Sequence, residues 1–428
     1  MLYKFIMAVL LCGPVFSLNG QITSLKIGDI LPETIFHYST GAVNHEGKLP
    51  DKRYKITILD FWATWCSSCI KVFPKIEKLQ AEFAGDVQFL LVNAKNTMDD
   101  STKIKQFFGK WNARYGKPLS LASIEQDTIL DKMFTHNIVP HYVWLNDEGK
   151  VLAFTSADEV TQEHIRSLLK GITKPIIMKM DQDKNRPLFT NPDLPQTQLR
   201  SYRIFIKGWF EGLGSGNRLH YAGDTLRGRA MTNMSLREMY ISILRELHPG
   251  FTENRFIVDT KNIDSTLLPA PAEESARNVW QKSNMNSVEL ILPARHAANL
   301  YCSMLEEIDH SSGYQGRMEW RNLPCYALRP TGKTKLLISK GGETEIRLFS
   351  ENNPYLKNAP VHYVVARLNN CDAVKFPVVN ETGINNNIDI MFTNGFKTFD
   401  AIQKQLQQYG LKLVKTEREL EVFVVRDR

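Results

Sequence analysis

The first 172 or so positions switch repeatedly between two hydrophobic rhythms. The stretch "YKITILDFWA" (54–63) is a β-rich apolar run of the length a buried strand requires. Beyond it, Val72, Ile76, Leu79 and Phe83 recur at steps of four, three and four, which marks one face of a helix. A second buried strand follows in "VQFLLVNA" (87–94), then a helix in "STKIKQFFGKWNARYG", opened by a Ser/Thr cap. Two strand-like runs around Asp147-Glu148-Gly149 in "HYVWLNDEGKVLAFT" (141–155) predict a hairpin. The helix "TQEHIRSLLKG" ends at Gly171. The order β-α-β-α-β-β-α predicts an α/β layer fold.

Both rhythms then stop. Residues 173–200 carry Pro175, Pro187, Pro192 and Pro195 with little periodicity and are expected as a linker or extended arm. From about 201 a region of α+β character begins. Ser235 and Glu238 form a capping box ahead of Leu236, Tyr240, Ile243 and Leu247 at helical spacing. Phe399, Ile402, Leu406 and Tyr409 mark a helix stopped by Gly410, and "LKLVKTERELEVFVVRD" (411–427) predicts two strands around a polar turn. Two motifs here are decoys. "RPTGKTK" (329–335) has the tail of a phosphate-binding loop, Gly332-Lys333-Thr334, but Ala327 stands where the first glycine belongs. The glycines of "GWFEGLGSGNR" (208–218) lack a βαβ context and predict a flexible or tightly turned loop.

A length of 428 residues implies two or three domains. The net charge of +7 comes without a dense Lys/Arg stripe, which argues against nucleic acid as a partner. At the N-terminus, Lys4 precedes an apolar run from Phe5 to Leu11, too short to span a bilayer and suited to the core of a signal peptide. Cleavage is expected near Ser17 to Gly20; Leu11 before Cys12 is too large for a lipid-attachment motif. The expected organisation is a signal peptide at 1–20, an α/β domain at 21–172, a linker at 173–200 and an α+β domain at 201–428. No later segment reads as a membrane span. Export leaves Cys66, Cys69, Cys302, Cys325 and Cys371 in an oxidising compartment, an odd number. Whether two of the last three pair or stay as buried thiols is open at this point.

Cys66 and Cys69, in "FWATWCSSC", carry the chemistry. At a strand-to-helix junction the first turn's unpaired N–H groups stabilise a thiolate, so Cys66 is the expected nucleophile and Cys69, one turn on, the resolving thiol. A zinc half-site would need a second ligand pair, and the sequence has no second CxxC or CxxH. A peroxidatic cysteine would want Pro and Thr where Leu59 and Ala63 stand. Asp60, in the buried run, is a candidate proton acceptor for Cys69, with a structural, paired acid as the bland alternative. Trp62 and Trp65 are placed to shield the site. Pro74 is expected to kink the helix without ending it.

"FWATWCSSC" with Pro74, and "NIVPHYVWLNDEGKVL" some seventy residues on, resemble the thioredoxin fold, in particular its exported TlpA/ResA-like thiol–disulfide oxidoreductases. The resemblance covers about residues 25–172. It implies a central β-sheet flanked by helices, a cis Val139-Pro140 peptide beside the cysteines, and main-chain groups of Val139 that pair with a substrate strand. Trp65, Val139, Pro140 and His141 are then the expected substrate-binding residues. Ser67-Ser68 departs from the family, which usually has proline before the second cysteine, so the family's potential does not transfer. His141 stands where Thr is more usual, placed to touch a thiolate or peptide. The implied activity is reduction of disulfides in cell-envelope proteins. It needs no cofactor beyond the Cys66–Cys69 disulfide, and a separate membrane protein supplies the electrons. The alternative is a binding protein whose C-terminal domain carries the main role. Segments between about 230 and 427, among them "MTNMSLREMYISIL" and "FPVVNETGINNNIDIMF", resemble the uncharacterised bacterial "soil-associated" proteins, which implies an architecture and no reaction.

Overall fold

The computed structural model describes residues 24–41, 43–172, 174–183, 185–332, 337–350 and 353–428. The expected signal peptide, and Lys333 and Thr334 of the phosphate-loop decoy, lie outside the described residues. The chain forms two units. The first runs to residue 184 and takes in Phe210–Leu213; the second comprises Asn185–Trp209 and Gly214–Arg428.

In the first unit the elements are β1 (Thr34–Thr40), β2 (Val43–Leu49), β3 (Ile56–Trp62), α1 (Ser67–Glu82), β4 (Val87–Ala94), α2 (Ser101–Tyr115), β5 (Ala122–Asp127), α3 (Leu130–Met133), β6 (His141–Asn146), β7 (Val151–Thr155) and α4 (Gln162–Leu169). They build one seven-stranded sheet in the order β2-β1-β5-β4-β3-β6-β7. β3 lies between parallel β4 and antiparallel β6, and all seven of its residues are buried. Strands covered on both faces read as continuous apolar runs, which is why β3 and β4 are conspicuous in the sequence. The β1–β2 hairpin and β5 are more polar and give no such signal.

Alternation along β3 divides the core in two. Ile56, Ile58 and Trp62 pack with Cys66, Cys69, Phe73, Ile76 and Leu79 of the α1 side. Leu59 and Phe61 pack with Leu90, Val92, Phe134, Val143 and Leu145 on the other face. The buried stripe of α1 thus runs through Phe73, worth about 1.5–3 kcal/mol of burial, with Val72 only half-buried beside it. α2 is capped by Asp100, whose carboxylate accepts from the Lys103 N–H at 2.8 Å, one residue before the expected Ser/Thr cap.

The stretch expected as a linker divides between the units. Lys179 donates its main-chain N–H to Phe154 of β7 at 2.9 Å and is buried, whereas Leu188 is buried in the second unit and bonded to Glu289 at 2.6 Å. Most of the stretch is exposed, as a linker would be, but Lys179, Pro187 and Leu188 are buried.

The second unit contains β8 (Tyr202–Lys207), β9 (Gly216–Ala222), β10 (Thr225–Met234), α5 (Leu236–Leu247), β11 (Phe256–Val258), α6 (Glu274–Asn284), β12 (Asn286–Ile291), α7 (Leu300–Ser312), β13 (Tyr314–Pro330), β14 (Glu345–Ile346), β15 (Tyr355–Ala359), α8 (His362–Asn369), β16 (Val378–Asn380), β17 (Ile388–Met391), α9 (Phe399–Gln408) and β18 (Leu411–Asp427). It has mixed α and β content in three sheets. The Ser235–Glu238 capping box is formed in both directions, at 3.2 and 2.7 Å. Residues 411–427 correct the expected pair of strands: they form one 17-residue strand paired along its whole length with β13. The Thr416–Glu419 stretch has no Gly, Pro or Asn to turn on, and its polar residues alternate across a ribbon roughly 55 Å long. Gly316 of β13 is required by close approach, since a Cβ there would meet the Phe423 ring at 2.1 Å. Cys302, Cys325 and Cys371 are free thiols, the first exposed and the others buried. Among the described residues no helix is long and apolar enough to cross a membrane.

Candidate functional site

β3 ends at Trp62 and α1 begins at Ser67, so the four residues between them turn the chain from sheet to helix. That turn is braced from a distance. Asp99, itself buried, accepts the Thr64 N–H at 2.7 Å and the Thr64 hydroxyl at 2.5 Å, and Asn93 donates to it at 2.8 Å. Charged acceptors make the stronger hydrogen bonds, so Asp99 holds the loop that presents Cys66. Sequence reasoning missed Asp99 because its partner lies 35 positions away.

Cys66 is the N-cap of α1 and is joined to Cys69 by a disulfide. Its sulfur accepts the Cys69 N–H at 3.2 Å, and the Ser68 hydroxyl lies 3.4 Å from it. After reduction the same two donors and the helix N-terminus face a Cys66 thiolate. Ser68 thus places a hydroxyl beside the sulfur at the position where the resembling family usually has proline. Cys66 retains 5% exposure and Cys69 none, which leaves Cys66 as the sulfur a partner can reach. Pro74 lies inside α1, which continues past it to Glu82.

Asp60 lies on β3 on the face that carries Ile58 and Trp62, and therefore on the cysteine side of the sheet. It is fully buried, and neither carboxylate oxygen has a well-formed hydrogen bond. Burial pushes its pKa well above the usual carboxylate range; the nearby phenol of Tyr142, its register partner on β6, offsets this only in part. Tyr142 is pushed up in turn by burial and by Asp60.

Trp65 is 65% exposed, its indole N–H donating to the Thr97 carbonyl at 2.9 Å, so it stands as an apolar wall beside the disulfide. Trp62, by contrast, is wholly buried among Phe73, Phe107 and Phe108. The Val139–Pro140 peptide is cis. Val139 packs partly against the cysteine-side core, and its N–H and C=O make no hydrogen bond within the described residues.

His141 requires a correction. Along β6, Tyr142 and Trp144 face the cysteine side, whereas Val143 and Leu145 face away. His141 shares the second parity. Its ring is buried, stacked on His136 at 4.7 Å and close to Phe61 and Phe154. A side chain on the far face of the sheet cannot touch a Cys66 thiolate. Among the described residues no group of three or more His, Cys, Asp or Glu side chains is arranged to hold a metal ion.

Comparison with known proteins agrees with this geometry. Residues 40–107 match the thioredoxin family. The first unit is a thioredoxin-like redox domain. The chain is 24% identical over 176 residues to the thiol-disulfide oxidoreductase ResA of Bacillus thuringiensis subsp. konkukian, which spans 40% of this chain and 96% of that protein. It is 34% identical over 62 residues to the thioredoxin-like protein YneN of Bacillus subtilis, 14% of this chain and 36% of that one. Among solved structures it is similar to the thioredoxin domain of a thiol-disulfide oxidoreductase from Bacteroides vulgatus, at 19% identity and a TM-score of 0.26, covering 35% of this chain and all of that one. StoA from Bacillus subtilis is similar at 22% identity and a TM-score of 0.25, covering 30% and 93%. A thioredoxin domain, relatives of the thiol–disulfide class and a CxxC pair make this redox domain that of an enzyme.

Proposed function

We propose that the chain is exported and reduces disulfides of cell-envelope proteins at Cys66. The observation that carries this reading is the pairing of an N-capping Cys66, which keeps a little exposure, with a wholly buried Cys69 one turn on. Cys66 thiolate attacks one sulfur of the substrate disulfide, forming a mixed disulfide and releasing the other substrate sulfur as a thiolate. Cys69 gives its proton to Asp60 and attacks Cys66, which re-forms the internal disulfide and releases the second substrate thiolate. Two electrons pass to the substrate, and a membrane dithiol donor restores the reduced pair.

A carboxylate poised above its usual pKa is suited to take a thiol proton near neutrality. The unpaired Val139 main chain, Pro140 and the exposed Trp65 supply a docking surface for an extended substrate strand. Electron direction and envelope location rest on the resemblance to TlpA/ResA-like proteins and on the signal-like N-terminus. For the second unit the only reading is the sequence resemblance to the soil-associated family, which names no reaction.

In an insulin-reduction assay the full chain should turn over with dithiothreitol as electron source, and Cys66→Ser should fall to background. Turnover that survives Cys66→Ser would sink the assignment. Alkylation trapping in cells should find Cys66 and Cys69 reduced; a fully oxidised pair would reverse the direction.

A further inference from the structure

Residues 174–183 lie after the last helix of the first unit and outside the stretch that matches thioredoxin, yet they bury a lysine. Lys179 is 6% exposed. Its ammonium donates to the Ile138 carbonyl, lies 3.3 Å from Nδ1 of His141, and pairs with Asp181 Oδ2 at 3.1 Å. The Ile138 carbonyl and the His141 ring nitrogen take two of its three N–H directions, and Asp181 balances its charge as an ion pair although the carboxylate oxygens have no well-formed hydrogen bond. Burial draws the Lys179 pKa down and the Asp181 carboxylate works against it. His136 donates from Nδ1 to the Phe134 carbonyl at 2.9 Å and stacks on His141, whose Nδ1 lies 3.3 Å from the Lys179 ammonium and 3.5 Å from Asp181 Oδ2. Burial keeps both below the usual imidazole range, His141 the further.

The Ile138 carbonyl is where this cluster meets the loop of the cis proline. It shares one planar peptide with the Val139 N–H, and in a trans peptide the two point in opposite directions. A carbonyl held on the ammonium therefore fixes the Val139 N–H pointing away from it, and that N–H has no partner among the described residues. We propose that Lys179 is a positioning residue for substrate capture: it anchors the Ile138–Val139 peptide so that the Val139 main chain is aimed for an incoming strand. This rests on the reading of Val139 as a substrate-binding residue given above. A main-chain group that must meet another main chain gains affinity from being held in place beforehand.

The test uses the full chain and two substrates. Insulin offers a peptide strand; cystamine is a disulfide with no peptide main chain. In Lys179→Met the KM for insulin should rise about fivefold to tenfold, the loss expected for one mis-set hydrogen bond. The insulin kcat and the cystamine rate should stay within about twofold of the parent, and Lys179→Arg should recover part of the insulin KM. An unchanged insulin KM overturns the proposal, as does an equal fall in the cystamine rate, which would place the damage at the sulfurs. Failure of the parent chain to react with either substrate would instead overturn the proposed function. If Lys179→Met does not fold, Lys179→Met/Asp181→Asn, which leaves no orphaned carboxylate, faces the same two assays and the same criteria.

Discussion

The two faces of the first unit's sheet both bury ionisable groups, and they treat them in opposite ways. On the cysteine face Asp60 has no cation and no well-formed hydrogen bond. On the other face Asp181 likewise lacks a well-formed hydrogen bond but has a cation, Lys179, which also donates to the Ile138 carbonyl and lies 3.3 Å from His141. An uncompensated buried acid is costly and gains from taking a proton, which is a property of use to chemistry. A compensated cluster holds its charge state and fixes geometry. On the proposed mechanism the faces divide the work between proton handling and alignment, within a few residues of one strand pair.

Breaking the compensated face should have the larger effect on stability. Lys179→Met leaves Asp181 buried without its cation and should destabilise the first unit by about 3–5 kcal/mol, read from chemical denaturation. Neutralising both partners should return most of that loss. Breaking the uncompensated face should have the opposite sign. Asp60→Asn removes a group that resists burial when ionised and should stabilise the unit by about 1–3 kcal/mol at neutral pH. Because burial raises the Asp60 pKa, the folded state retains a proton that the unfolded chain releases from about pH 4 upward. The stabilisation should therefore be small near pH 4, grow as pH rises through the window up to the folded pKa, and be complete above it. A gain that grew as pH fell would contradict this assignment. The same variant should lower insulin turnover about 10²-fold, the low end for loss of a general base.

The smallest effect expected concerns the sulfur itself. Ser68→Ala removes one of the donors near Cys66 and should raise the pH at which Cys66 becomes reactive to alkylation by roughly half a unit. No shift would mean that the helix N-terminus and the Cys69 N–H suffice.

The parts of this arrangement legible in the sequence are those set by near neighbours. Cys66 and Cys69, the Asp147-Glu148-Gly149 turn and the Ser235–Glu238 box lie within a few residues of what they act on, and β3 and β4 are predominantly apolar. His141 was misplaced although its face was available, because Tyr142 and Trp144 beside it set the parity of β6. Asp99 and Lys179 were not legible: each acts on a backbone group brought near only by the fold, at separations of 35 and 41 residues. In β18 the charged run suggested a turn, but pairing with β13 at every position decides the conformation.

The central claim is that Cys66 attacks and Cys69 resolves. Cys69→Ser removes the second step and leaves the first, so the variant, reduced and then offered oxidised insulin, should accumulate a mixed disulfide on a non-reducing gel. Peptide mapping should place it at Cys66, and dithiothreitol should release it. No adduct, or an adduct on Cys302 that persists when Cys66 is also replaced, would contradict the account.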